Sequence, residues 1–212
     1  MTVRVAVLIS GSGTNLQALI DTAASSDCPA EIVLVLSNKE GAYGLSRART
    51  AGIDAVWHDH RGKPRATYDQ EVADILRRNR VDWVFLAGFM RLLSPVLLEA
   101  FPGRVVNIHP ALLPSFPGLQ AQKQAFDAGV RVSGATVHFV DAGMDTGAII
   151  AQGTVCRQDD DTLDDFSARI LAMEHRLFPM VMRWAAEGRL ALRGGEAVVS
   201  LATGESRSLL DS

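Results

Sequence analysis

Asn107 and His109 stand two residues apart at the end of an apolar run, Val105-Val106-Asn107-Ile108-His109-Pro110. Side chains alternate along a strand, so the amide and the imidazole project to one face while Val106 and Ile108 project to the other. An amide N–H and an imidazolium on one face can both donate to an oxygen that gains negative charge during a reaction. The plainer alternative is an Asn and a His that cap a strand end. A second segment bears on the choice: Asp141-Ala142-Gly143-Met144-Asp145-Thr146-Gly147 sets carboxylates on a glycine-flanked turn after another strand-like run. A carboxylate brought beside His109 would favour its protonated form.

A third group of residues suits a phosphate. Gly11-Ser12-Gly13-Thr14-Asn15 follows the apolar run Val3 to Ile9 and precedes Leu16, Ala18, Leu19 and Ile20 at helical spacing. Glycines let backbone approach an anion, and a helix N-terminus supplies N–H groups and positive potential. Leu16 stands where a dinucleotide fingerprint needs its third glycine, and no Gly-Lys-Ser/Thr follows. That leaves a phosphomonoester site or a tight turn N-capped by Thr14 or Asn15. Glu174 lies four residues after Ile170 and four before Phe178, on the apolar stripe of a long helical segment. A carboxylate there needs a partner, either a structural cation or a substrate. His58-Asp59-His60 looks like a metal pair, but with no third ligand in view it reads as a solvated loop. Cys28 and Cys156 form neither a disulfide framework nor a metal spacing. His138 alternates within a strand and reads as a satisfied core histidine with at most an indirect role.

The elements that must hold these groups alternate. Strand-like runs at Val3–Ile9, Ile32–Leu36, Ile53–Trp57, Val81–Ala87 and Arg104–Ile108 are interleaved with helical patterns at Tyr43–Ala51 and Ala66–Asn79. That rhythm predicts parallel strands joined by right-handed crossovers, hence an α/β fold with helices on both faces of a mostly parallel sheet. After residue 110 the texture changes to a proline-rich loop, a short helix near Gln120–Asp127, and two long runs, Val132–Val140 and Ala148–Val155. Their short connection predicts an antiparallel addition to the sheet. Thr162 followed by Asp165 predicts an acidic capping box for the long helix, and the stretch from Arg193 a small hairpin with a frayed end. The chain of 212 residues reads as one domain: a phosphate-binding half (1–100), a catalytic half (101–190) and a hairpin tail (191–212). With 48% hydrophobic and 21% charged residues it is globular in composition. A net charge of −3 argues against nucleic acid or an anionic membrane as partner. No apolar run has the length of a signal or membrane segment, so the expected location is cytoplasmic.

The combined motifs resemble the folate-dependent formyltransferase family. Asn107-Ile108-His109-Pro110-Ala111-Leu112-Leu113-Pro114-Ser115-Phe116-Pro117-Gly118 is similar to its first signature, and Gly134-Ala135-Thr136-Val137-His138-Phe139-Val140 leading to Asp145 to its second. Ile9 to Gln17 and Leu86 to Ser94 are similar to the branch that acts on glycinamide ribonucleotide. The resemblance runs from Val3 to about Gly188 and implies a Rossmann-like sheet. It also implies transfer of formyl from the co-substrate 10-formyltetrahydrofolate to the glycinamide amine, with no metal and no covalent enzyme intermediate. By that resemblance Asn107 and His109 bind the formyl oxygen, His109 donates a proton, and Asp145 supports His109 and relays the amine proton through water. Gly13, Thr14 and Asn15 match the phosphate loop, and Glu174 contacts the glycinamide substrate. Arg65, Met90, Arg91, Leu92, Leu93, Asn107, Val140, Asp141 and Asp145 match folate-binding positions, and Ala111–Val132 a mobile loop over the site. The implied partners are these two small molecules, with a homodimer left open. A hydrolase that uses water as acceptor at the same Asn/His/Asp site is the alternative within the family. Two departures stand out: Leu119 to Lys123 lacks the histidines frequent there, and Ala148-Ile149 replaces a common proline.

Overall fold

The computed structural model describes residues 2–210. Five strands alternate with four helices in the first half: β1 (Val3–Ile9), α1 (Thr14–Ala23), β2 (Ala30–Ser37), α2 (Tyr43–Thr50), β3 (Asp54–Trp57), α3 (Arg65–Arg78), β4 (Trp83–Leu86), α4 (Pro95–Ala100) and β5 (Val105–His109). The order β3-β2-β1-β4-β5 is parallel throughout. Such a sheet is covered on both faces, which is why β1 is apolar at nearly every position. Val5, Val7 and Ile9 face one cluster with Leu16 and Leu19 of α1, whereas Ala6 and Leu8 face another with Tyr68, Val72 and Leu76 of α3. The carboxyl ends of β1, β4 and β5 lie side by side at one edge, where sites in open α/β sheets are built.

The second half reverses direction. α5 (Ala121–Asp127) leads to β6 (Val132–Phe139) and β7 (Ile149–Cys156), which add to β5 as an antiparallel pair. In that register Asn107 lies opposite His138, and His109 opposite Thr136. α6 (Leu163–Ala186) closes the first face with Phe166, Ile170, Leu177, Phe178 and Val181 fully buried. Each such side chain contributes about 1.5–3 kcal/mol by leaving water. Its start is the predicted capping box: Thr162 Oγ1 accepts from Asp165 N, and Asp165 Oδ2 accepts from Thr162 N.

Three expectations change. The N-cap of α1 is Gly13, at φ 71°, with no side-chain cap, rather than Thr14 or Asn15. Helix α4, which follows Ser94-Pro95, is an addition to the expected elements, since six residues are too few to show a repeat. The tail does form a hairpin, β8 (Leu190–Arg193) with β9 (Glu196–Val199), but its end is not frayed throughout. Strand β10 (Ser208–Leu209) pairs in parallel with β7 at Gln152 and Gly153, and Arg207 donates to the carbonyls of Ile149 and Ile150.

Gly13 is held where only glycine fits. A Cβ there would approach Gly44 Cα to 2.7 Å, and Gly44 N donates to Gly11 O at 3.1 Å, so α2 is seated directly on the glycine loop. Gly13→Ala must strain φ or push α2 away, with an expected stability loss of about 1–3 kcal/mol. Denaturant unfolding checks this; a midpoint equal to that of the unsubstituted chain would contradict the close approach.

Candidate active site

A cavity of about 520 Å³ opens at the carboxyl edge of the sheet, and the strand ends determine what lines it. Asn107 and His109 reach it from β5 as the alternation predicts, and Met90, Arg91, Leu92 and Leu93 from the loop after β4. Thr14 and Asn15 of α1, Glu174 of α6, and Val140, Asp141 and Asp145 of the loop after β6 complete the lining among the expected residues. Gly13 instead lines an adjoining basin with Ser12 and Lys39. Arg65 lines neither; it is exposed at the first turn of α3. Met90, Leu92, Leu119 and Met144 are all exposed around the mouth and give it an apolar rim.

At the centre is His109, only 4% exposed. Its Nδ1 lies 3.4 Å from Asp145 Oδ2, and its Nε2–H donates to the Phe116 carbonyl at 2.8 Å. Both ring nitrogens thus face acceptors, one across a hydrogen bond and the other at ion-pair distance. Asp145 in turn accepts from Gly118 N–H at 2.7 Å. The turn that delivers Asp145 is tight: Asp145 has φ 56°, and a Cβ on Gly147 would meet Phe139 O at 1.8 Å.

His138 completes the group. Its Nδ1–H donates to Phe139 O at 2.8 Å, which leaves Nε2 as an acceptor for Asn107 Nδ2 at 3.1 Å. Burial is the largest influence on this ring and pushes its pKa down, in keeping with a neutral imidazole. The 3.7 Å approach of His138 Nε2 to Asp145 is therefore not an ion pair, because that nitrogen carries no proton. One Asn107 N–H is held by His138 and the other remains for the cavity. His138 is a satisfied core histidine that orients the amide.

Glu174 finds an amide rather than a cation. Asn15 Nδ2 donates to its Oε2 at 3.1 Å, so the Asn15 side chain turns toward α6 and not toward the glycine loop. Burial pushes the Glu174 carboxyl up to about 7, against the opposing effect of that hydrogen bond. Asn15 Oδ1 is buried and meets no donor among the described residues. Behind the glycine loop, Arg47 donates to Ser12 O at 2.9 Å and to Gln17 Oε1 at 3.2 Å. Met90 N–H donates to Ser10 Oγ, which donates to Asn38 Oδ1 at 2.6 Å, tying the loop after β4 to the end of β1.

Asn107, His109 and Asp145 thus line one cleft beside the glycine loop. Residues 3–182 match the family model described as formyl transferase. The chain belongs to the formyl transferase family. Within it, the chain is 42% identical over 191 residues to a phosphoribosylglycinamide formyltransferase of Haemophilus influenzae, covering 90% of each chain. It is 50% identical over 188 residues to the trifunctional purine biosynthetic protein adenosine-3 of Drosophila melanogaster, spanning 87% of this chain but only 14% of that relative. A solved glycinamide ribonucleotide transformylase from Symbiobacterium toebii superposes with a TM-score of 0.90 at 49% identity, covering 93% and 94% of the two chains.

His58 and His60 go to different partners, Glu71 Oε2 at 2.7 Å and Asn38 O at 3.0 Å. Among the described residues no three His, Cys, Asp or Glu side chains are grouped to hold a metal ion. The two groups that pattern reasoning could not supply are the Phe116 carbonyl and the Gly118 N–H, since backbone atoms leave no residue-type signal.

The raised Glu174 pKa carries a stability consequence. Below its ordinary value of 4.5 the carboxyl is neutral folded and unfolded; as pH rises toward 7 only the unfolded chain gains from ionisation, so stability falls across that window. The upper bound is about 3 kcal/mol from the size of the shift. Glu174→Gln is expected to raise the melting temperature more at pH 8 than at pH 5, measured without substrates. A pH-independent difference would show that the carboxyl is not destabilised by burial.

Proposed function

We propose that this chain transfers the formyl group of 10-formyltetrahydrofolate to the primary amine of glycinamide ribonucleotide. The observation that carries the reading is His109, buried between Asp145 and the Phe116 carbonyl and sharing one cavity with Asn107 and Glu174. The relatives with matching length are named for that activity, which supports the same choice.

The chemistry follows from the donors. The amine nitrogen attacks the formyl carbon, a new N–C bond forms, and the carbonyl π electrons move onto oxygen. The free Asn107 N–H donates to that oxygen, while His109, its ring nitrogens facing Asp145 and the Phe116 carbonyl, lines the same cavity and contributes positive charge when protonated; preorganised groups of this kind are worth several kcal/mol in a site closed to water. As the intermediate collapses the bond to the folate nitrogen breaks, and that nitrogen takes up a proton. The proton lost by the attacking amine passes through water toward Asp145, which lies at ion-pair distance from His109, and on to the departing folate nitrogen.

Binding divides along the cleft. The glycine loop and Lys39 take the phosphate, combining free N–H groups at α1 with a cation. Glu174 and the unpaired Asn15 Oδ1 meet donors of the sugar or the glycinamide portion. The apolar rim of Met90, Leu92 and Met144 takes the aromatic part of the folate. We place the enzyme in the cytoplasm; no described helix is long and apolar enough to cross a membrane.

The test is release of tetrahydrofolate from 10-formyltetrahydrofolate with and without glycinamide ribonucleotide. Release only with the ribonucleotide, matched mole for mole by formylated product, is expected. Equal release without it would make water the acceptor and overturn the proposal.

A further inference from the structure

Thr136 lies directly opposite His109 in the β5–β6 register, and Gln152 directly opposite Thr136 in the β6–β7 register. The three side chains thus stand in a row across three strands. Thr136 is fully buried, and its hydroxyl is saturated. It donates to Ala111 O at 2.7 Å and accepts from Leu113 N at 3.0 Å and from Gln152 Nε2 at 3.0 Å. The Gln152 amide also donates to Leu113 O at 2.9 Å. Three of these four hydrogen bonds end on the segment Ala111–Leu113, which begins two positions after His109, and the fourth ties Gln152 to Thr136. Nothing in the strand itself asks for a hydroxyl here, since valine has the same shape and a higher preference for a buried strand.

The clamped segment leads at once to the groups that flank the catalytic pair. Three residues beyond Leu113 the Phe116 carbonyl accepts from His109 Nε2, and two further on Gly118 N–H donates to Asp145 Oδ2. Phe116 and Gly118 both have positive φ, 55° and 83°, so the path between clamp and site is a tight coil. In so short a coil, the position of its first residues determines where its carbonyl and its N–H arrive. Gln152 is itself held from the far side, where its backbone N–H donates to Arg207 O at 3.0 Å beside β10.

We propose that Thr136 and Gln152 are positioning residues for formyl transfer. By clamping Ala111–Leu113 they set the Phe116 carbonyl on His109 and the Gly118 N–H on Asp145. Neither touches the reacting atoms. The inference rests on the proposed transferase reading for its kinetic consequence, but its structural consequence can be read without substrate.

The experiment compares Thr136→Val, which keeps shape and removes the hydroxyl, with Thr136→Ser, which keeps the hydroxyl. The first readout is the ¹⁵N resonance pair of the His109 imidazole in the full chain without ligands. The second is kcat and both KM values. Thr136→Val is expected to move the His109 resonances and lower kcat about tenfold or more with little change in either KM, a loss confined to the transition state. Thr136→Ser is expected to restore both. Unmoved His109 resonances in a folded Thr136→Val would overturn the proposal, as would equal kcat losses in the Val and Ser variants. Should Thr136→Val not fold, Gln152→Leu decides, because it removes only the amide bonds: moved resonances support the clamp and unmoved ones refute it. An unsubstituted chain with no transferase activity would overturn the function while leaving the resonance result to judge the clamp.

Discussion

The structure around the site depends on a buried imidazole with an acceptor on each side. His109 is only 4% exposed, and a buried polar atom without a partner costs free energy. Here the Asp145 carboxylate stands at Nδ1 and the Phe116 carbonyl at Nε2, so the charged form has a partner for each proton. To bring those partners together the chain uses three separate devices. Strand β5 carries His109 to the sheet edge, a glycine-dependent turn returns Asp145 over it, and a tight coil after Leu113 presents Phe116 and Gly118.

The other pole of the cavity is built on the opposite principle. Glu174 is buried with one amide for company, and its carboxyl is pushed toward neutrality rather than held charged. Such a group is a cost to the empty protein that suitable donors on a ligand would offset. Asn15 shares that state, with its amide nitrogen spent on Glu174 and its oxygen unpaired. The cleft thus has a partnered imidazole toward one end and a carboxyl and an amide oxygen short of donors toward the other.

Much of this was legible in the residues. The continuous apolar run of β1 gave the doubly covered sheet, and the Asn-x-His alternation gave two polar groups on one face. Thr162 and Asp165 gave the start of α6, and the place of Glu174 on an apolar stripe gave its burial. What escaped did so for physical reasons. Helix α4 and strand β10 are too short to show a period, although Ser94-Pro95 was a usable start signal. Thr14 and Asn15 look like caps by type, but the left-handed Gly13 takes that place, and Asn15 is drawn to a carboxylate 159 residues away. Arg65 matches a family position yet stands clear of the cavity, and the backbone groups of Phe116 and Gly118 have no residue type to betray them.

The central claim is that His109 and Asp145 act as one unit, and a double-mutant cycle on kcat tests it most directly. His109→Ala, Asp145→Asn and the double variant are compared with the unsubstituted chain at one pH, each checked for folding by near-ultraviolet circular dichroism. If the pair is a unit, the double variant is no slower than the slower single variant, because residues that work through each other do not lose rate independently. Losses that multiply would mean that the carboxylate and the imidazole contribute separately, and the account of the site would be wrong at its centre.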